Sequence, residues 1–120
     1  MRFQTAGIRV ERQREVLRII ILGEIDHHSA KHLRDEIDGE LFKYRPRELV
    51  LSLGEVGFMD SSGLGLILGR LALAERMQCK LRLCDLSPRI ERILSMAGIE
   101  RLAGITIDRE GKENTCENRR

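Results

Sequence analysis

Hydrophobic and charged residues alternate at the start of the chain. Isoleucine and valine alternate with charge in GIRVERQ, and the more apolar EVLRIIILG follows after a short polar junction. A period of two is typical of β-strands. We therefore predict an opening hairpin with strands at residues 8–13 and 16–23, the second strand being the more buried.

The apolar positions then change to a helical period. After EIDHHS, apolar residues recur on one helical face at Ala30, Leu33, Ile37 and Leu41. Asp26 or Ser29 is placed to cap this helix. Because proline disfavours helical geometry in the residue before it, Pro46 predicts that the helix ends near Tyr44.

The second half of the chain continues the alternation of strands and helices. LVLSL is a continuous β-favouring run of the kind that is buried on both faces of an α/β sheet. A helix is predicted over residues 62–76, a strand over 80–84 and a short edge strand at ITID. The apolar face of this helix is predicted to comprise Leu64, Ile67, Leu68 and Leu71.

The segment SPRIERILSMAGI predicts both the start and the end of a third helix. Ser87 is predicted as the N-cap, Pro88 as the first helical residue and Gly98 as the residue just beyond the end. The resulting order, ββαβαβαβ, predicts one α/β domain over residues 1–108, with a mixed sheet that begins as an antiparallel hairpin. Residues 109–120 contain no aliphatic or aromatic side chain and are predicted to form a polar, disordered tail.

Composition narrows the function classes. The 120 residues are 42% hydrophobic and 33% charged with a net charge of +2, as in soluble globular proteins. Aromatic residues make up only 3% and the charges alternate in sign, which disfavours nucleic-acid binding. No apolar run is long enough to be a membrane span, so we expect a cytoplasmic protein with three reduced cysteines.

The segment VGFMDSSGLGLILGR carries the candidate chemistry. A serine hydrolase would need G-x-S-x-G, but neither Ser61 nor Ser62 is flanked by both glycines. A dinucleotide loop would need G-x-G-x-x-G, whereas Gly63, Gly65 and Gly69 have the wrong spacing. Close packing inside the protein or a docking surface remain as two reasons for these glycines.

Two further alternatives involve histidine and aspartate. His28 and His32 lie four residues apart, with Asp26 as a third possible metal ligand, but no further ligand is clustered with them. Asp60 follows a strand, as does the phospho-acceptor of response-regulator receivers, but the acidic pair and the late lysine of those proteins are missing. A polar helix start and a helix cap account for these residues more simply.

Asp60 and Ser61 lie at the predicted start of a helix. The free N–H groups and the positive end of the helix dipole favour negative charge there. A phosphate on Ser61 would be stabilised by the same groups while it added about −1.5 to −2 charges beside Asp60. The junction therefore has the physical properties of a phosphorylation switch.

Three segments together resemble one family: GEIDHHSA, FMDSSGLGLILGR and LSPRIERILSMAGIERL. They are similar in order and spacing to the anti-sigma factor antagonists of the sporulation type, which are small STAS-domain proteins. The Asp-His-His run points to the sporulation branch over the general-stress antagonists. The resemblance spans residues 8–108, although the family closes with a C-terminal helix and this chain continues in polar residues.

This resemblance implies a partner switch without enzymatic activity or a cofactor. The unphosphorylated antagonist would bind an anti-sigma factor that is also an ATP-dependent serine kinase, and would thereby release a sigma factor. The kinase would phosphorylate the first serine of D-S-S-G, which is Ser61, and a serine phosphatase would reset the switch. The alternative is a STAS adaptor in another assembly, such as stress signalling or lipid transport.

The resemblance also implies a docking face around Ser61. Asp26 would lie near Ser61 across neighbouring strand ends, and Asp60 would orient the serine or the partner. The remaining members of the implied face are His27, His28, Ser62, Gly63 and Leu64.

Overall fold

The computed structural model describes residues 6–108, which form a mixed β-sheet and three α-helices. A single 3₁₀ turn, Ile99–Arg101, follows the last helix of this described part. In chain order the elements are β1 Gly7–Gln13, β2 Val16–Ile25, α1 Ala30–Tyr44, β3 Glu48–Ser52, β4 Val56–Met59, α2 Ser61–Arg76, β5 Lys80–Cys84, α3 Pro88–Met96 and β6 Ile105–Ile107.

The strands are ordered β1-β2-β3-β5-β6, and β4 pairs with β2 outside that path. β1 and β2 are antiparallel, whereas the pairs β2–β3, β2–β4, β3–β5 and β5–β6 are parallel. The predicted α/β class, the mixed sheet and the opening hairpin are confirmed.

The prediction of one strand between the first two helices is wrong, because LSLGEVGFM contains the end of β3 and all of β4. β2 has 10 residues, and the five residues of β3 pair only with its first half. β4 pairs with the second half, at Gly23↔Val56 and Ile25↔Met59. The register shifts between these two pairs, and Gly23 has a φ of 95°, which glycine adopts without strain.

One hydrophobic core joins alternate residues of the strands to the buried faces of all three helices. β3 is central in the sheet, and its last four residues are all buried, as predicted for LVLSL. α1 buries Leu33, Ile37 and Leu41, as its periodicity predicted, whereas Ala30 at its first position is only half-buried.

The predicted apolar face of α2 is partly wrong. Leu68 is 41% exposed, and Leu64 is only half-buried. α2 is apolar nearly all round, so periodicity alone does not identify its buried face. The helix instead buries Gly63, Leu66, Ile67, Arg70, Leu71, Leu73 and Ala74.

The predicted C-terminal end of α1 and both predicted ends of α3 are confirmed. α1 ends at Tyr44, and Arg45 takes up a left-handed conformation with a φ of 50°. Ser87 Oγ accepts a hydrogen bond of 3.2 Å from the N–H of Ile90, with Pro88 as the first residue of α3. Gly98 has a φ of 77° just beyond the end of α3.

The described cysteines, Cys79 and Cys84, are both buried, and neither is joined in a disulfide bond. Burial raises the pKa of Cys79 to about 11. Cys116 and the predicted tail, residues 109–120, lie outside the described residues. Between residues 6 and 108, no helix has the length and apolar character needed to cross a membrane.

Candidate functional site

The candidate site is formed where two parallel strands end side by side. Ile25 ends β2 and Met59 ends β4, and these two residues are register partners. The N–H of Asp60 donates a hydrogen bond of 3.2 Å to the carbonyl oxygen of Ile25. Asp26 and Asp60 therefore leave the same edge of the sheet from adjacent strands.

Asp60 caps α2. Its backbone is extended, with φ −106° and ψ −165°, and its Oδ1 accepts a hydrogen bond of 2.7 Å from the N–H of Ser62. The carbonyl of Asp60 accepts another from the N–H of Gly63 at 2.9 Å. The helix consequently begins at Ser61, one residue earlier than the sequence predicted.

Ser61 is the first residue of this helix and is exposed, whereas Ser62 is half-buried. The two adjacent hydroxyl-bearing residues therefore differ in accessibility. The positive end of the α2 dipole lies at Ser61, where it favours a negative group. Of the two side chains, Ser61 is the one more accessible to a modifying enzyme.

Asp26 organises the turn between β2 and α1. Its Oδ1 accepts hydrogen bonds of 2.9 Å from the N–H groups of both His28 and Ser29. The bond from Ser29 is the main cause of a lowered Asp26 pKa, and the bond from His28 contributes to it. Of the two alternative caps that the sequence predicted for α1, Asp26 and Ser29, the side chain of Ser29 makes no cap hydrogen bond, because its Oγ donates to the carbonyl of Glu24 at 2.7 Å.

His27 and His28 are exposed on this turn. Their rings meet edge to face, with centroids 5.4 Å apart. They are thus accessible next to Asp26, and the family resemblance implies that they belong to a docking face.

Gly63 and Leu64 lie farther into α2. Gly63 is buried, and a Cβ at this position would lie 2.1 Å from Met59 Cγ and 2.6 Å from Met59 Sδ. Gly63 therefore serves the packing of α2 on the end of β4. Leu64 is half-buried and packs against the core.

A groove of about 470 Å³ begins beside this site and runs between α1 and α2. Its lining residues are His27, Ala30, Lys31, Arg34, Ser62, Gly65, Leu66, Gly69 and Arg70. Sequence analysis identified neither the groove nor its three cations. The spacing of Lys31 and Arg34, three residues apart, places them on one side of α1 and was the available signal.

Arg70 is 6% exposed and forms an ion pair with Asp38 of α1, with 2.8 Å between Nε and Oδ1. Burial lowers the pKa of Arg70 and raises that of Asp38. Both directions mean that loss of hydration outweighs the attraction between the two charges. The pair ties α1 to α2 next to the groove.

The metal alternative does not hold for residues 6–108, where no group of three or more histidine, cysteine or acidic side chains could hold an ion. His32 Nε2 lies 3.6 Å from Glu36 Oε2, one turn along α1. His28 belongs to the turn before α1. The two histidines are thus polar residues at and just before the start of a helix.

Comparison with known proteins identifies relatives of this chain. The family model for the STAS domain matches residues 7–112. An anti-sigma F factor antagonist of Paenibacillus polymyxa is 38% identical over 98 residues, which are 82% of this chain and 84% of that protein. An anti-sigma-B factor antagonist of Bacillus subtilis is 29% identical over 105 residues, covering 88% of this chain and 94% of the relative.

A solved structure shares the fold. It is that of the Bacillus cell fate determinant SpoIIAA in its phosphorylated form, with a TM-score of 0.64 and 28% sequence identity. The match covers 86% of this chain and 92% of the SpoIIAA chain.

Proposed function

This chain belongs to the STAS domain family, in its group of anti-sigma factor antagonists, and we propose that phosphorylation of Ser61 switches off its binding to an anti-sigma factor. As in that group, it is a regulator and not an enzyme. The unphosphorylated chain binds the anti-sigma factor, and the sigma factor held there is released to direct transcription.

The observation that carries this proposal is the exposure of Ser61 at the first position of α2, directly after the Asp60 cap. A phosphate on Ser61 brings about −1.5 to −2 charges to a site that already holds the Asp60 carboxylate. The N–H groups and dipole of α2 stabilise this charge within the chain. A partner that packs against this surface would have to bury the phosphate, which opposes binding.

The proposed docking face surrounds this serine at the ends of β2 and β4. Its exposed members are His27, His28 and Ser61, and its half-buried members are Asp26, Asp60, Ser62 and Leu64. Gly63 contributes by letting the first turn of α2 lie close to Met59, which sets the position of the neighbouring side chains.

The proposed partner is an anti-sigma factor that is also an ATP-dependent serine kinase. A serine phosphatase would restore the binding form. The resemblance of GEIDHHSA to the sporulation branch and the similarity to an anti-sigma F factor antagonist favour a sporulation sigma factor. All three partners would act in the cytoplasm.

The test is to treat the purified chain with its cognate anti-sigma kinase and ATP, and to locate the phosphate by mass spectrometry. We expect phosphate on Ser61 in the wild type and none in Ser61→Ala, while Ser62→Ala is labelled as the wild type is. Ser61→Asp should also bind the kinase more weakly than Ser61→Ala. Undiminished labelling of Ser61→Ala would refute the assignment.

A second candidate is an antagonist in a general stress response. It is favoured by the similarity to the anti-sigma-B factor antagonist of Bacillus subtilis, which extends over 105 residues. The two candidates are distinguished by measuring binding to an anti-sigma F and an anti-sigma-B factor side by side. Stronger binding to the second would replace the sporulation assignment and leave the Ser61 switch in place.

A further inference from the structure

Gly65 and Gly69 lie inside α2 without a packing reason within residues 6–108. Apart from its chain neighbours and the nearby backbone of α2 itself, a Cβ at either position would meet no described atom within 4 Å, whereas a Cβ at Gly63 would collide with Met59. Glycine in a helix interior lowers helix stability relative to alanine. Of the two reasons that the sequence left open, close packing inside the protein is therefore excluded for these two glycines.

Both glycines line the groove between α1 and α2. Their missing side chains leave the α2 backbone accessible to another chain from the groove. The groove also reaches Ser62, next to the proposed phosphorylation site. Its position is therefore continuous with the proposed docking face.

The charged side chains that line the groove are all positive. Its charged lining residues are Lys31, Arg34 and Arg70. Lys31 and Arg34 are exposed, with side chains 74% and 47% accessible, and they share the exposed Asp35 at 3.6 and 3.5 Å. Such exposed ion pairs are weak, so both cations remain available to a partner carboxylate.

Arg70 supplies an independent sign that the groove takes a ligand. The side chain lines the groove but is buried, and its Nη1 has no hydrogen-bond partner among the described residues. A buried guanidinium N–H without an acceptor is unfavourable. An acceptor that enters the groove, with a small shift of Arg70, would satisfy it.

We propose that an extended acidic segment of the anti-sigma factor occupies this groove. Its main chain lies against Gly65 and Gly69, and its carboxylates face Lys31 and Arg34. The inference rests on the proposed function and adds to it the place and the chemistry of the contact. It also gives the phosphate on Ser61 a second effect, because that charge would repel an acidic segment at the end of the groove.

The matched test uses three glycine-to-alanine substitutions in helices: Gly65→Ala, Gly69→Ala and Gly39→Ala. Gly39 lies in α1 outside the groove, and a Cβ there also meets nothing within 4 Å. Each variant should melt about 2 to 5 °C above the wild type, because alanine favours the helix. In calorimetric titrations with the anti-sigma factor, Gly65→Ala and Gly69→Ala should bind at least about ten-fold more weakly, and Gly39→Ala should bind as the wild type does.

Charge is tested separately with the double variant Lys31→Gln/Arg34→Gln and the control Lys43→Gln. Lys43 is an exposed cation on the same helix but outside the groove. The double variant should weaken binding and reduce its dependence on salt, while Lys43→Gln should leave both unchanged.

Two results would overturn the inference while keeping the proposed function. One is wild-type affinity in both Gly65→Ala and Gly69→Ala, with Ser61→Asp still impaired. The other is an unchanged salt dependence in the Lys31 and Arg34 double variant. A wild-type chain that does not bind the anti-sigma factor would overturn the proposed function and the groove inference together.

Discussion

The N–H of Asp60 donates a 3.2 Å hydrogen bond to the carbonyl oxygen of Ile25. This bond extends the pairing of β4 with β2 by one residue and brings the turn that begins at Asp26 beside the start of α2. The proposed switch thus depends on two segments that are more than thirty residues apart in sequence. Their relative position is set by backbone hydrogen bonds, which favour a preformed docking face.

The cap of α2 gives the first prediction. Asp60→Ala removes the 2.7 Å hydrogen bond to the N–H of Ser62, and we expect it to lower the free energy of unfolding by about 1 kcal/mol. Asp60→Asn keeps an acceptor at the same position and should lower the free energy of unfolding by less than Asp60→Ala does. Urea denaturation of the two variants and the wild type measures both effects, and equal stability of the alanine and asparagine variants would argue against the cap.

The second prediction concerns Gly63, where alanine should lower stability, whereas alanine at Gly65 in the same helix should raise it. Gly63→Ala should destabilise the protein by about 1 to 3 kcal/mol, because the new methyl group overlaps Met59 and must displace it. Combining it with Met59→Ala should cost less than the sum of the two single changes, since the smaller side chain makes room. Additive losses in a double-mutant cycle would mean that the two residues do not compete for space.

Asp26 gives a prediction about acid. Its pKa is lowered in the folded chain, chiefly by the Ser29 N–H, so its hydrogen bonds stabilise the fold above the ordinary aspartate pKa of 3.8. That contribution is lost as the pH falls through the folded-state pKa. Asp26→Asn does not titrate, and we expect its stability to fall less steeply than that of the wild type below about pH 4.

A direct measurement is an NMR titration of the Asp26 carboxyl group. It should give a folded-state pKa below 3.8. A value at or above 3.8 would contradict the hydrogen-bonded turn.

For the ion pair of Asp38 and Arg70, we predict that removal of one charge lowers stability more than removal of both charges. Asp38→Ala leaves the Arg70 guanidinium buried without its partner and should lower the free energy of unfolding by about 2 to 4 kcal/mol. This loss is smaller than for a fully buried pair, because the Asp38 side chain is 24% exposed. Asp38→Leu with Arg70→Met removes both charges and should be within about 1 kcal/mol of the wild type.

Chemical denaturation compares these variants, with Lys31→Gln as the control. Lys31 forms an exposed ion pair with Asp35, and its loss should change stability by less than about 0.5 kcal/mol. If the double variant were as unstable as Asp38→Ala, the pair would be stabilising, and burial would not outweigh its attraction.

The cap of the helix that begins at the candidate site could be predicted from the local sequence. The start of α2 is encoded by Asp60, a residue type that caps helices because its carboxylate accepts from the next N–H groups. The start of α3 is encoded in the same way by Ser87 and Pro88. The roles proposed for Ser61 and its neighbours are those that the family resemblance implies.

Other features had no local signal strong enough to be recognised. Leu68 has an apolar side chain of the kind usually found in a core, yet it is exposed, because other residues of α2 are the ones that face the core. The sequence pattern predicts a single strand where β3 and β4 lie, although Gly54 falls in the turn between them. Its separate existence follows from the length of β2, whose second half needs a hydrogen-bonding partner.

The amino-acid sequence alone was sufficient for the α/β class, the hairpin and the helix caps at Asp60 and Ser87, because these depend on interactions between residues a few positions apart. Tertiary packing was needed to distinguish three glycines that look alike in the sequence. Gly63 is required by Met59 of the preceding strand, whereas Gly65 and Gly69 border a groove whose other side is α1. That distinction depends on which distant atoms approach the backbone, and only the assembled sheet and helices determine it.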